Sequence, residues 1–148
     1  MLDLGGAPVI VRMIERLRRS DRCTKVVVAT TSNPIDDIIF QTCLDNNIEV
    51  FRGHPTDLLD RHLHCAYHYN ADLVLKIPSD CPLIDYRIVD RCIDFSIQTD
   101  SDYASNIHSH YFPDGQDVEV IKTEALINAF NNSYLPQERE HTTPYIWS

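Results

Sequence analysis

The stretch "DLVLKIPSDCPLID", residues 72–85, decides the fold of this chain of 148 residues. A largely apolar run of strand length passes directly into a turn that carries Asp80 and Pro82. Ligands of open parallel sheets bind beyond the carboxyl ends of the strands, so an acid at this place is a candidate metal ligand. The alternative is a plain strand-end turn in which Asp85 caps the next helix.

Outward from this stretch, extended and helical hydrophobic patterns alternate along the chain. Strands are predicted for five short segments: "KVVVAT" (25–30), "IEVFRG" (48–53), "DLVLKI" (72–77), "DYAS" (102–105) and "DVEVIK" (117–122). Hydrophobic residues recur at helical spacing in five other segments: 9–17, 35–43, 56–69, 86–98 and 123–132. Thr56 and Thr123 are the expected N-caps of the third and fifth helices.

Strands that alternate with helices of this length indicate crossover units. We therefore predict a single α/β domain, doubly wound, with a mostly parallel sheet between two layers of helices. Residues 1–148 contain no repeat or linker that would divide them.

Composition limits the possible functions. With 43% hydrophobic residues the chain can bury one sizeable core, and its net charge of -9 opposes a nucleic-acid or anionic-membrane surface. The sequence shows neither an apolar run of membrane-spanning length nor a signal-peptide pattern, which predicts a cytoplasmic protein with no membrane partner. Five dispersed cysteines are most simply reduced thiols.

Several motifs, in order, resemble those of the cytidylyltransferases related to spore-coat polysaccharide biosynthesis protein F, a group similar to the acylneuraminate and KDO cytidylyltransferases. They are "MLDLGGAP" with "IERL", "VVVATTSNPIDD", "FRG" with "DLLDRH", "DCPLID", "PDGQDVEV" and "EREHTTPYI". The resemblance implies a Rossmann-like fold of the nucleotide-diphospho-sugar transferase type. It also implies transfer of CMP from CTP to an acidic sugar for surface polysaccharide synthesis, with a homodimer as one option for assembly.

The resemblance also implies roles for individual residues. Asp80 matches the catalytic metal acid, and Mg²⁺ is the expected cofactor because it prefers carboxylate and phosphate oxygens. Ser79 stands where family members commonly carry glycine. The remaining assignments are Asp57, Arg61 and Arg52 on the nucleotide side, and Asp117, Arg139 and His141 on the sugar side.

These assignments have structural alternatives. Asp57 and Arg61 lie one helical turn apart and are equally compatible with a surface ion pair. Turn preference alone explains Asp114 and Gly115 before the last strand, and Asp117 and Glu119 then alternate onto one face of that strand. Arg139 and His141 are compatible with a subunit contact as well as with a sugar carboxylate.

Three other features are better explained by structure than by chemistry. His64 and His68 share a helix face, but no accompanying glutamate motif supports a zinc site, so a solvated face is favoured. Cys81 lacks a nearby histidine and is expected to pack in the core. The acids of "DSD" (100–102) imitate a glycosyltransferase metal motif but fall where a helix ends.

The ends of the sequence lead to one further expectation. A strand with a phosphate-binding turn before "MLDLGG", and a second metal acid after "PYIWS", would complete the family pattern. We therefore expect 1–148 to be a nucleotidyltransferase-like domain truncated at both ends and inactive alone, which leaves its status as an enzyme open. The alternatives are a non-catalytic α/β assembly module or, third, a metal-dependent glycosyltransferase that uses "DSD".

Overall fold

A computed structural model describes residues 2–108 and 111–148. The strands are β1 Val27–Thr31, β2 Glu49–Gly53, β3 Leu73–Lys76, β4 Tyr103–Ser105 and β5 Glu119–Lys122. The α-helices are α1 Val9–Leu17, α2 Asp37–Asp45, α3 Leu58–Tyr69, α4 Tyr86–Thr99, α5 Thr123–Asn132, α6 Pro136–His141 and α7 Pro144–Trp147. The five predicted strands and five predicted helices are all confirmed, while α6 and α7 form the end of the chain for which no element was predicted.

The fold is of the predicted α/β class. Strands β1 and β2 pair in parallel, in a register that joins Val27 to Glu49 and Thr31 to Gly53, and α2 connects them. The second sheet has the strand order β3-β5-β4. Helices separate nearly all of these strands in sequence, as the crossover pattern predicted.

Strand β5 runs opposite to β3, which is an exception to the predicted parallel arrangement. The carbonyl oxygen of Asp72, just before β3, accepts a 2.9 Å hydrogen bond from the backbone amide of Thr123, just after β5. At the other ends of the two strands, Lys76, the last residue of β3, pairs with Glu119, the first residue of β5. The residues that precede β5 therefore lie at the edge where β3 ends.

The chain divides into two compact units. The first comprises Met1–Val26 and Leu75–Val120, and it buries Ile84, Val89 and Val118 completely. The second comprises Val27–Val74 and Ile121–Ser148. Its fully buried side chains include Cys43, Leu59, Ile121, Leu126 and Ala129. Each unit thus has an apolar core of its own.

Two predicted helix caps are wrong. The third helix is capped by Asp57 rather than Thr56, because the Asp57 carboxylate accepts a 2.8 Å hydrogen bond from the Asp60 amide. Thr123 is the first residue of α5 instead of its cap, and its hydroxyl donates to the carbonyl oxygen of Ala71. In both cases a contact made by the folded chain decides a choice that local sequence leaves open.

The first unit contains an ion pair inside its sheet. The Lys76 ammonium pairs with the Glu119 carboxylate, and these side chains are only 14% and 4% exposed. The Tyr103 hydroxyl donates a 2.9 Å hydrogen bond to the second carboxylate oxygen of Glu119. Because desolvation offsets the attraction of a buried pair, removal of one partner is far more costly than replacement of both.

We therefore expect Glu119→Leu to lower the free energy of unfolding by about 3 kcal/mol, because it leaves the Lys76 ammonium buried and unpaired. The double variant Lys76→Met/Glu119→Leu should recover most of this loss in urea denaturation. As a control, Glu15→Gln breaks an exposed 3.0 Å pair with Arg12 and should cost under about 1 kcal/mol. Equal losses for Glu119→Leu and Glu15→Gln would contradict the buried-pair interpretation.

Candidate functional site

Asp80 lies in the loop that follows β3, and its side chain is exposed. The loop is shaped by two backbone hydrogen bonds, from the Cys81 amide to the Pro78 carbonyl (3.2 Å) and from the Ile84 amide to the Cys81 carbonyl (3.1 Å). Cys81 and Ile84 are buried, so their side chains anchor the loop in the core of the first unit. This anchoring presents the Asp80 carboxylate at the surface, as the sequence predicted.

The Cys81 thiol brings Asp80 and Asp117 to one place. Its sulfur lies 3.7 Å from the Asp80 Oδ1 atom, and the Asp117 backbone is near enough to influence the pKa of the same thiol. Burial raises the pKa of this thiol, and the two neighbouring carboxylates raise it further, while the Asp117 amide opposes the shift. The Cys81 side chain is buried, which confirms its predicted packing role, and the raised pKa of its thiol is the opposite of what an activated nucleophile requires.

Asp117 reaches this edge because β5 runs opposite to β3. The turn before β5 is held by Asn106, a buried side chain whose Nδ2 donates to the Gln116 carbonyl (2.6 Å). The Asn106 Oδ1 atom accepts a 2.9 Å hydrogen bond from the Val118 amide. Sequence patterns did not indicate Asn106, because its partners lie ten and twelve residues away in a turn of no periodic character.

Asp85 caps α4, as predicted. Its Oδ1 atom accepts a 2.9 Å hydrogen bond from the Arg87 amide, and the Arg87 guanidinium lies 2.7 Å from Oδ2. Hydrogen bonds from the Arg87 side chain, then from its backbone, lower the pKa of the Asp85 carboxyl to about 2. Asp85 is therefore a charged structural group that fixes the far end of the Asp80 loop.

In the second unit, two sequence candidates bind each other. The Nε atom of Arg139 donates a 2.7 Å hydrogen bond to Oδ2 of Asp57, and its Nη1 atom donates to the Phe130 carbonyl at 3.0 Å. The same guanidinium lies 4.4 Å from the centre of the Phe130 ring. Asp57 and Arg139 were predicted for the nucleotide and the sugar, yet here they join α3 to α6.

Arg61 is buried, so the alternative of a surface ion pair with Asp57 is wrong. Its Nη1 atom donates a 2.7 Å hydrogen bond to the His54 carbonyl, while its buried Nε atom has no partner among the described residues. Desolvation lowers the pKa of the Arg61 guanidinium, against the opposing charges of Asp36 and Asp57. Arg61 thus holds the loop after β2 from within the second unit.

Arg52 is likewise engaged by its own unit. Its Nη1 atom lies 2.7 Å from the Asp37 carboxylate, and its Nε and Nη2 atoms donate to the carbonyls of Thr31 (2.9 Å) and Asn33 (3.0 Å). The side chain therefore ties β2 to the turn that follows β1. The nucleotide-side roles of Arg52, Asp57 and Arg61 stay predictions.

The histidine and "DSD" interpretations agree with the structure. His64 and His68 are exposed, and His141 is exposed at the end of α6. Within 2–108 and 111–148, no group of three or more His, Cys, Asp or Glu side chains is arranged to hold a metal ion by itself. Helix α4 ends at Thr99 and Asp100 takes a left-handed conformation (φ 50°), so the first "DSD" acid terminates a helix.

No described helix is both long enough and apolar enough to cross a membrane.

Comparison with known proteins gives consistent results for sequence and fold. A family model described as cytidylyltransferase matches residues 1–148. A solved cytidylyltransferase structure from Leptospira borgpetersenii serovar Hardjo-bovis shares 35% sequence identity with a TM-score of 0.93, covering 98% of this chain and 62% of that one. This similarity confirms the predicted fold.

Two relatives of known name match along nearly the whole chain. Spore coat polysaccharide biosynthesis protein SpsF of Bacillus subtilis is 28% identical in an alignment that covers 97% of this chain and 60% of that protein. The 3-deoxy-manno-octulosonate cytidylyltransferase of Chlorobium limicola is 28% identical in an alignment that covers 95% of this chain and 59% of that protein. The chain thus spans about three fifths of the length of these relatives.

The cap at Asp85 leads to a pH prediction. Above pH about 4 the carboxyl is ionised in both the folded and the unfolded chain, so its contribution to stability is complete. As the pH falls towards 2, the unfolded chain takes up the proton first, and this contribution is lost.

Asp85→Asn should flatten the dependence of the free energy of unfolding on pH between pH 4 and 2, because asparagine caps the helix without titrating. Urea denaturation measures this, with the exposed turn variant Asp114→Asn as control; equal profiles for both variants would contradict the assignment.

The contact between Asp57 and Arg139 predicts a structural coupling. Arg139→Met should lower the free energy of unfolding by roughly 2 kcal/mol, because it removes two charge-assisted hydrogen bonds and the stacking on Phe130. In an Asp57→Asn background the loss should be smaller, with a coupling energy of about 1 kcal/mol in a double-mutant cycle. Strictly additive losses would show that the pair does not stabilise the fold.

Proposed function

The chain belongs to the cytidylyltransferase family, and from this membership we propose that it serves the transfer of CMP from CTP to an acidic sugar, as a step of surface polysaccharide synthesis. The observation that carries the proposal is the family match over residues 1–148. The exposed acid after β3, at the place where open α/β sheets bind ligands, supports it.

The names of two relatives support the proposed sugar class. One of them is named for 3-deoxy-manno-octulosonate, a sugar acid, and another for a spore coat polysaccharide. In the proposed reaction a sugar hydroxyl oxygen attacks the α-phosphorus of CTP. The bond from that phosphorus to the bridging oxygen breaks, pyrophosphate leaves, and the hydroxyl proton is released. Most of the catalysis in such a transfer is positioning and charge stabilisation.

The donor atoms around Asp80 fit a hard divalent cation such as Mg²⁺. The Asp80 carboxylate is exposed in the loop after β3, and Asp117 offers a second carboxylate from the turn before β5. Mg²⁺ requires only one or two protein carboxylates, because water and substrate phosphates supply its other ligands. Bound there, it would neutralise charge on the triphosphate of CTP.

The roles of the chain's own groups follow from their positions. We assign Asp80 to the cation, since its carboxylate is exposed and its contact within the described part of the chain is a weak one, with the Cys81 thiol. We assign Asp117 to the sugar hydroxyls, because a carboxylate at the same edge is able to accept hydrogen bonds from them. The loops that carry these acids are preformed, which reduces the ordering cost of binding.

We expect Asp80→Asn to weaken Mg²⁺-dependent binding of CTP to residues 1–148 by about tenfold or more, because it removes the proposed cation ligand. Titration calorimetry with and without Mg²⁺ measures this, with UTP and ATP as competitors that should bind less well than CTP. A matched control is Asp21→Asn, which removes an exposed acid of the same unit and should leave binding unchanged.

The outcomes separate the candidate functions. Unchanged Mg²⁺ dependence in Asp80→Asn would contradict the role of Asp80. Equal competition by UTP and ATP would contradict a preference for cytidine. A folded chain that binds no nucleotide at all would favour the non-catalytic assembly module.

A further inference from the structure

The loop that presents Asp80 and the turn that presents Asp117 are joined by one side chain, Gln116. Its Oε1 atom accepts a 2.8 Å hydrogen bond from the Asp85 amide, and its Nε2 atom donates a 3.2 Å hydrogen bond to the Leu83 carbonyl. We infer that Gln116 is a positioning residue for Asp80, which holds the loop of residues 81–85 against the turn before β5.

The orientation of the Gln116 amide is dictated by its partners. A backbone N–H only donates and a carbonyl oxygen only accepts, so the oxygen of Gln116 must face Asp85 and its nitrogen must face Leu83. The side chain therefore pairs with residues 83 and 85 in the way that a neighbouring strand would pair with them. Both hydrogen-bonding ends of this amide are used within the first unit.

The turn that carries Gln116 is itself held by hydrogen bonds. The Gln116 carbonyl accepts the 2.6 Å hydrogen bond from the buried Asn106 side chain, which also accepts from the Val118 amide at 2.9 Å. The Ser105 hydroxyl donates to the Val118 carbonyl at 3.0 Å. The turn is thus bound to β4 on one side, while Gln116 reaches from it to the loop on the other.

The residues that Gln116 holds lie close enough in sequence to Asp80 to fix the position of its carboxylate. The held residue Leu83 follows Asp80 by three positions, and the Ile84 amide to Cys81 carbonyl hydrogen bond closes the intervening turn. On the other side, Asp117 directly follows Gln116 in the chain. A displaced loop would move the Asp80 carboxylate, and supporting residues of this kind typically change metal affinity about 10- to 100-fold when removed.

This inference rests on the proposed function, in which Asp80 binds a divalent cation. The test uses Mn²⁺ alone as the probe for residues 1–148, with its affinity measured from water-proton relaxation. Gln116→Leu should weaken Mn²⁺ binding about tenfold. Gln116→Glu keeps the acceptor for Asp85 but loses the donor to Leu83, and should weaken binding to an intermediate degree. Gln98→Leu changes an exposed glutamine of the same unit and should have no effect.

A double variant separates positioning from general stability. If Gln116 acts through Asp80, then Gln116→Leu should have no further effect on Mn²⁺ affinity in an Asp80→Asn background. Hydrogen exchange of the Asp85 amide should be faster in Gln116→Leu than in the wild type, because its acceptor is gone. If Gln116→Leu fails to fold, Gln116→Glu is judged by the same criteria.

Two results would overturn the inference: a Gln116 variant whose Mn²⁺ affinity matches that of Gln98→Leu, or an equal weakening with and without Asp80. Unchanged exchange of the Asp85 amide in Gln116→Leu would also overturn it. A failure of the proposed function is recognised differently, because an Asp80→Asn chain would then bind Mn²⁺ as tightly as the wild type.

Discussion

The direction of β5 beside β3 is the constraint on which the candidate site depends. Because the two strands run in opposite directions, the end of β3 and the start of β5 meet at one edge, and Asp80 and Asp117 approach the same thiol. The buried pair of Lys76 and Glu119 joins the strands at this edge. A parallel β5 would place the turn before it at the opposite edge of the sheet, away from Asp80.

Local patterns in the sequence predicted what local forces decide. The strand before Asp80, the cap at Asp85 and the helix end at Asp100 each depend on a few neighbouring residues, and each is confirmed. Apart from the cap of the third helix, which is shifted by one residue to Asp57, the failures in the candidate site concern partners distant in the chain. Asp57 and Arg139 are 82 residues apart, and no periodicity indicates that they meet. The two hydrogen bonds of the Gln116 side chain were missed for the same reason, since their partners are about 31 residues away.

The arginines that the sequence offered for ligand binding are largely occupied by the protein itself. Arg52 and Arg61 hold backbone carbonyls around β2, and Arg139 pairs with Asp57. In this chain of net charge -9, these three cations thus stabilise the fold itself. Under the proposed function, a divalent cation bound by Asp80 would attract an anionic nucleotide without the help of these three arginines.

The thiol of Cys81 suits this arrangement chemically. A lysine between Asp80 and Asp117 would neutralise their charge and compete with a cation, and a thiolate would itself become a soft ligand. A protonated thiol does neither, because it is a weak donor and a weak acceptor of small volume. Burial raises the pKa of this thiol most, and the charges of Asp80 and Asp117 raise it further. A neutral thiol beside Asp80 would leave that carboxylate available to a hard cation under the proposed function.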